Sequence, residues 1–597
     1  MSSKTALFSR FNLDFVLYRV LNVENLKRYS YYQDHSKDSL DMVIDVASEI
    51  ADRILWPVFS ASDQNPPVLE NGNVSVHKSI GDYVKAYSEA GLTGATFSSV
   101  NGGIQLPKTI GAALEFVLCA SSNSFIMYTD LAKGIANLID KFGTEAQKQT
   151  YLPHIFSGNY LGTMCLTEAD SGSSLAGIRT KATPNDDGGF NIVGQKIFIS
   201  AGDQNISENI IHLVLARIEG APKGVKGISL FIVPKKNENG ESNGVLPIAI
   251  YHKMGQKATP AMHLSFGEKE TCKGYLLGEA NKGLHQMFVM MDGARLSVGL
   301  MGASMSSAAY VLALQYASER KQGNSLKANA IKEPVPILQH PDVRRMLLQQ
   351  KAFVEGALCF VLQCYTYLDI QKATEDIKEK EKYTQLLNLL TPVAKTYCAE
   401  YGVASVNQAL QVLGGYGYTK DFPLEQLARD IRILPIYEGT TGIHSLGLLG
   451  RQVLANNGEN LEIWYTEVLA VIASATNVPN VLKHALLLQE ELTNFKTITT
   501  FIQKLSTELS PEEYLSDATL YMDYFGTLNM AWQWLKQGVA AQQQLEVNEG
   551  ETLFYESKLK TMQFFYSYEM PKLKGLAKSL LNPSFLNIFD TDKEILI

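Results

Sequence analysis

Residues 158–280 read as one strand after another, and the chain on both sides of them reads as helix. Runs such as "LGTMCLT", "FNIVGQKIFIS", "IIHLVLARI", "GISLFIVPK" and "MHLSF" are rich in Ile, Val and Phe and are separated by Gly, Asn, Asp and Pro. That is the pattern of an all-β module. Before the block, residues 40–155 carry the helical apolar period, as in "LDMVIDVASEIADRIL" and "DLAKGIANLIDKFG", with a break at "NGGIQLP" (101–107). Helical periodicity returns near residue 281, where 283–321 reads as one long helix or two. Two further helices are expected over 341–374 and 381–413, the last stopped by "GGYGY" (414–418). This order excludes the alternating βαβ of a doubly wound sheet. It predicts a multidomain α+β chain: an arm over 1–36, a helical domain over 37–157, a β domain over 158–280, a helical bundle over 281–455 and a further helical domain over 456–597.

Length and composition agree. A chain of 597 residues exceeds one ordinary core, and 46% hydrophobic with 19% charged residues describes folded domains. A formal net charge of −8 argues against general nucleic-acid or anionic-membrane binding. Cys119, Cys165, Cys272, Cys359, Cys364 and Cys398 are scattered among apolar neighbours and read as reduced and buried, which suits the cytoplasm. No His pair at helical spacing and no Cys-x-x-Cys occurs, so no metal site is expected. Charges at Lys4, Arg10, Asp14 and Arg19 interrupt the N-terminal apolar residues too often for a signal-peptide core. The longest uncharged run, Leu296–Ser318, is long enough to cross a membrane, but its Gly, Ala and Ser content reads as a buried bundle helix.

The chemistry centres on "PIYEGTTGIHSLG" (435–447), where Glu438 stands between an apolar-aromatic run and a Gly-Thr-Thr-Gly turn. Such an acid is either a charge near the N-cap Thr440 and Thr441 of a following helix, or a base whose pKa is tuned by apolar surroundings. Upstream, the small-residue loop in "MCLTEADSGSSLAG" (164–177) offers backbone N–H groups at close range. Its glycines do not form a GxGxxG fingerprint. In "KIFIS" (196–200), alternation puts Phe198 and Ser200 on one strand face and Ile199 on the other.

Together with "MGQKAT" (254–259), "DGARL" (292–296), "YASERKQG" (316–323) and "QVLGGYGYTKDFPLEQLARDIRILPIYEGTTGIH" (411–444), these segments resemble the acyl-CoA dehydrogenase family over residues 40–455. The resemblance implies an α-helical N-domain, a β-barrel-like middle domain and a C-terminal four-helix bundle. It implies FAD, an acyl-CoA substrate, an electron-transfer flavoprotein as acceptor and at least a homodimer, with Glu438 as catalytic base. Met164, Leu166, Thr167, Gly172, Ser173, Phe198, Ile199 and Ser200 would line the flavin. Arg320, Gln322, Gln411 and Gly415 would reach the FAD of a neighbouring subunit, and Thr440 and Gly442 its nucleotide end. Ser173, Asp292, Arg295, Tyr437 and Gly439 would meet the substrate.

Each residue also has a plainer reading. Asp292 and Arg295 at i,i+3 fit a helix ion pair, Arg320 after Glu319 fits surface charge, and "GGYGY" fits a simple helix stop. The chain departs from the family pattern in three places: Phe198 stands where many relatives have Trp, Gly442 where Gln is commoner, and Gly450 where some have Arg, with Arg451 next to it. The extra length resembles a branch that includes 3-methylmercaptopropionyl-CoA dehydrogenases. An acyl-CoA oxidase shares this architecture, and a homologue kept only as a scaffold is a third reading. In the tail, Trp532, Trp534, Phe564, Phe565 and Tyr566 lie at helical spacing and predict amphipathic helices with a buried face and a structural role.

Overall fold

The computed structural model describes residues 7–327, 333–454, 458–547 and 551–582. Contacts gather the chain into two units: one holds His35–Ala294, the other the arm up to Asp34 and the chain from Arg295 on.

The first unit begins with helices α1 (Lys37–Ile50), α2 (Ser79–Glu89), α3 (Lys108–Ser121), α4 (Asn123–Phe142) and α5 (Glu145–Phe156). Ser36 and Thr144 close capping boxes on α1 and α5. A purely helical expectation for 40–155 misses one feature, the hairpin β1 (Val68–Glu70) and β2 (Asn73–Ser75). Its turn is Asn71-Gly72 with φ of +50° and +76°, the strongest short hairpin signal a sequence offers.

The β module follows: β3 (Tyr160–Cys165), β4 (Lys181–Pro184), β5 (Phe190–Ser200), β6 (Asn209–Ile218), β7 (Ile228–Pro234), β8 (Val245–Ile250), β9 (Ala261–Phe266) and β10 (Lys273–Leu276). The path runs β10-β7-β6-β4-β5-β9-β8, and β10 also pairs with β5. That second pairing closes a ring of strands and removes two edges. Residues β6 and β7 bury along almost their whole length, Ile211, Leu213, Leu215, Leu230 and Ile232 being fully covered, so these strands read as continuous apolar runs rather than alternating ones.

Helix α6 (Gly283–Glu319) is continuous, which settles the choice between one helix and two. The second unit takes it from Arg295 and adds α7 (Pro341–Ala373), α8 (Ile377–Leu413), α9 (Leu424–Ile431) and α10 (Thr441–Gly447). Helices α6 and α7 are long and apolar enough to cross a membrane, but 78% and 94% of their most apolar windows are buried in the protein, as in core helices.

The tail forms α11 (Glu459–Ala475), α12 (Pro479–Glu508), α13 (Ala518–Glu546), α14 (Thr552–Tyr568) and α15 (Leu573–Leu580). Its Trp532, Trp534, Phe564, Phe565 and Tyr566 are all buried. Helix α13 lies so close to α7 that a Cβ on Gly356 would stand 2.6 Å from Met530 Cε. Trp534 Nε1 donates to Ala352 O at 2.9 Å, and Lys558 on α14 donates to Glu355 on α7 at 2.8 Å. Lys558 also bonds Asn12 of the arm. Phe11 and Phe15 of the arm pack on Phe554, with centroids 4.5 and 5.5 Å away. The six cysteines are all buried free thiols.

Candidate active site

The first unit carries the loop after β3. Lys196 on β5 is fully buried, and its ammonium donates to Leu166 O at 3.0 Å and to Glu168 Oε1 at 2.8 Å. Ile197 N donates to Thr167 O at 2.9 Å. The Glu168 carboxylate in turn accepts from Arg179 N at 2.6 Å and from Thr180 N at 3.1 Å. Burial pushes the Glu168 carboxyl up, but Lys196 and these donors bring it below its usual value. Glu168 and Lys196 therefore fix the loop and leave its open side to the residues around them. Gly172 there has nothing within 4 Å of where a Cβ would be, and Ser173 is exposed.

A bulge in β5 between Lys196 and Ile199 shapes the neighbouring surface. Phe198 has φ of +57°, the residue is 58% exposed, and its ring centroid lies 4.4 Å from that of Tyr251. Ile199 is buried and Ser200 half-buried, but the bulge breaks the simple alternation expected here, because Phe198 is exposed while Lys196 two residues before it is buried. Met164 and Thr167 are half-buried and Leu166 buried. An open small-residue loop beside an outward aromatic face fits the edge and face of a flat heteroaromatic group. Asp292, also in this unit, is exposed.

The second unit carries the turn of Glu438. Its backbone has φ of +56°, followed by Gly439 at +95°. A residue with a Cβ reaches the left-handed region only when its surroundings hold it there. Two side chains do so: His444 Nε2 lies 2.9 Å from Glu438 O, and Lys395 Nζ donates to Gly439 O at 2.7 Å. Thr440 caps α10, accepting from Ile443 N at 3.4 Å. The capping role thus falls to Thr440. Among the described residues no donor hydrogen-bonds the Glu438 carboxylate.

Burial pushes the Glu438 carboxyl above its ordinary pKa, opposed by the charges of Arg295 and Lys395. Burial also lowers Lys395, to about 8, and His444, to about 3. A neutral His444 whose Nε2 faces a carbonyl carries its proton on that nitrogen. Tyr437, directly before Glu438, is half-buried and donates to Met301 Sδ at 3.3 Å.

The remaining positions lie at exposed edges of this unit. Arg320, at the end of α6, and Gln322, in the two-stranded ribbon that follows, are exposed, and Gln322 O pairs with His340 Nε2 at 2.7 Å. Gln411 is exposed at the end of α8. Gly415 and Gly442 have nothing within 4 Å of a would-be Cβ. These open glycines leave backbone accessible to a large ligand, so the residues present fit a dinucleotide as well as a ring.

Sequence reasoning singled out neither Lys395 nor His444 as functional. Lys395 is one cation in the small-residue stretch "TPVAKTYCAE" of a long helix. Only its full burial and its reach to the Glu438 turn mark it.

Comparison with known proteins decides the family. Family models match in chain order: the acyl-CoA dehydrogenase N-terminal domain over 40–159, the middle domain over 163–268, and the C-terminal domain over 281–454. A fourth, acetyl-CoA dehydrogenase C-terminal like, matches 464–584. The chain is 32% identical over 579 residues to the broad-specificity linear acyl-CoA dehydrogenase of Mycobacterium tuberculosis, covering 94% of each. The chain belongs to the acyl-CoA dehydrogenase family. It is also 36% identical over 441 residues to 3-methylmercaptopropionyl-CoA dehydrogenase of Ruegeria pomeroyi, covering 73% of this chain and 74% of that one. Its fold matches the crystal structure of an acyl-CoA dehydrogenase complexed with FAD from Bacillus anthracis, with a TM-score of 0.72 at 20% identity over 96% and 92% of the two chains. The family is FAD-dependent and consists of oxidoreductases acting on acyl-CoA thioesters, and the tail is part of the architecture of its longer members.

Proposed function

We propose that the protein oxidises an acyl-CoA thioester to the trans-2-enoyl-CoA, with Glu438 removing the α-proton. The observation that carries this reading is the state of Glu438: a carboxylate on a clamped left-handed turn, raised in pKa by burial and not hydrogen-bonded by any described residue. An α C–H of a thioester is too weakly acidic for a solvated carboxylate, and withdrawal from water makes the same group a stronger base. Tyr437 and Gly439 flank the base and take the substrate side, with Asp292, Arg295 and Ser173 toward the CoA portion.

Bound FAD supplies the acceptor for the β-hydride. Met164, Leu166, Thr167, Gly172, Ser173, Phe198, Ile199 and Ser200 hold its ring system, where Phe198 offers a stacking face without an N–H. Arg320 gives a charge-assisted contact to a pyrophosphate, and Gln322, Gln411, Gly415, Thr440 and Gly442 leave room for the dinucleotide. That use of Arg320 and Gln411 calls for a homodimer. Electrons pass on to an electron-transfer flavoprotein, in the cytoplasm.

Anaerobic titration of the purified flavoprotein with a panel of acyl-CoAs tests the reading: one or more bleach the flavin and yield an enoyl-CoA. Rapid oxygen uptake after bleaching would make it an oxidase. A colourless protein that takes up no FAD would leave only a scaffold.

A further inference from the structure

We propose that Lys395 and His444 are positioning residues that clamp the Glu438 turn at two successive carbonyls, and that the Lys395 ammonium also sets the electrostatic surroundings of the Glu438 carboxylate. This rests on the reading of Glu438 as the base. The geometry gives each carbonyl of the turn its own donor: His444 Nε2 for Glu438 O at 2.9 Å, and Lys395 Nζ for Gly439 O at 2.7 Å. The donors come from different helices, α8 for Lys395 and α10 for His444, so the turn is fixed against both. It needs fixing, because Glu438 sits at φ +56° and would relax to an ordinary conformation if released.

The turn has no slack. A Cβ on Gly439 would lie 2.7 Å from His444 Nε2. Lys395 is fully buried, and a buried ammonium is costly unless its partners stabilise it. The charged and titratable groups facing it are Glu438 from the turn, Glu400 on its own helix and Arg295 from α6, with neutral His444 beside the turn. Among the described residues it hydrogen-bonds the Gly439 carbonyl beside the base, and its interaction with the Glu438 carboxylate acts through space. A lysine that only filled the core would be served as well by a methionine. A lysine that aims and charges the base would not.

The sign follows. Arg295 and Lys395 both hold the Glu438 pKa down against burial. Without the Lys395 cation that pKa rises, so the acid limb of kcat/KM moves to higher pH.

The test uses the FAD-loaded enzyme and Lys395→Met, Lys395→Gln and Lys395→Arg, with Glu438→Gln as reference. For Lys395→Met the expected result is a kcat at least about tenfold lower, a KM within about threefold, and an acid limb raised by about half a pH unit or more, at unchanged flavin content. Lys395→Arg restores part of kcat and the position of the limb; Lys395→Gln restores neither fully. A Lys395→Met enzyme within about twofold of wild-type kcat and with an unmoved acid limb overturns the proposal. If Lys395→Met does not fold, the other two variants decide: rescue by Arg beyond Gln supports the clamp, and equal behaviour of Arg and Gln overturns it. A fully active Glu438→Gln enzyme would instead remove the base assignment itself, whereas an inactive one beside a wild-type-like Lys395→Met defeats this proposal alone.

Discussion

At the scale of residues, the structure separates two acids by their surroundings. Glu168 and Glu438 both sit in motif loops, but the Glu168 carboxylate accepts two backbone N–H bonds and a lysine, whereas the Glu438 carboxylate accepts none from the described residues. Their pKa values move in opposite directions for that reason. As the proposed base Glu438 acts in its ionised form, so kcat/KM should fall as pH drops through its raised pKa, with an acid limb above the ordinary carboxylate range near ~4.3. A pH–rate profile with its limb at or below that value would contradict the assigned environment. The open glycines make a second prediction. Nothing lies within 4 Å of where a Cβ on Gly415 would stand, so Gly415→Val should keep the thermal midpoint within about 4 °C, a shift worth roughly 1–2 kcal/mol in a large domain. The flavin-to-protein absorbance ratio should drop. Glu438 stood out in the sequence against its apolar neighbours, but the reading of it as a base came from the family resemblance rather than from those neighbours. Lys395 was not legible: it lies 43 positions before Glu438, and no local pattern reports a contact made by topology.

At the scale of elements, periodicity carried most of the fold. Helices over 341–373 and 377–413 end within a few residues of where the apolar period stops. The ring closure through β10 and β5 was not legible, because partner choice among short apolar strands is set by the assembled sheet. Nor was the β5 bulge that turns Phe198 outward. The module also buries a titratable group. His212 on β6 is fully covered, lies 2.6 Å from Thr163 Oγ1 across the β3–β6 pairing, and is held to about 3 by burial. The unfolded chain, near 6.5, then binds the extra proton between those values. Its contribution to stability is full above about 6.5 and is lost as pH falls toward about 3, at up to ~1.4 kcal/mol per pH unit. Urea unfolding near pH ~7 and ~5 should show a smaller acid loss for His212→Gln than for wild type. Equal losses would show that His212 is not buried neutral.

At the scale of the whole chain, the tail is a second core rather than an appendage. Trp464, Trp532 and Trp534 are almost completely buried, and Trp464 donates to Asn529 at 2.9 Å while Trp534 reaches back to α7. That the tail would form apolar-faced helices was visible in its residue spacing. Which helix it covers was not, because Gly356 and Ala352 on α7 carry no signal of a tryptophan partner. A chain ended after Leu454 would expose the α7 face around Gly356, together with a Glu355 stripped of Lys558. Such a chain should aggregate or change its oligomeric state on gel filtration; a soluble, unchanged and fully active one would show that the tail is dispensable. Removing one member of the buried Lys558–Glu355 pair alone is expected to cost about 3–5 kcal/mol, so part of the loss belongs to a single contact.

The central claim is that Glu438 is the base, and the most direct measurement is anaerobic flavin reduction followed in rapid mixing with a saturating acyl-CoA, for wild type and Glu438→Gln. The substitution is nearly isosteric and leaves the His444 and Lys395 contacts, which are to backbone carbonyls, in place. The expected result is a Glu438→Gln enzyme that keeps FAD and binds the thioester but reduces its flavin at well under a tenth of the wild-type rate, a loss of more than ~1.4 kcal/mol in barrier. Reduction at more than about a tenth of that rate would place the base elsewhere.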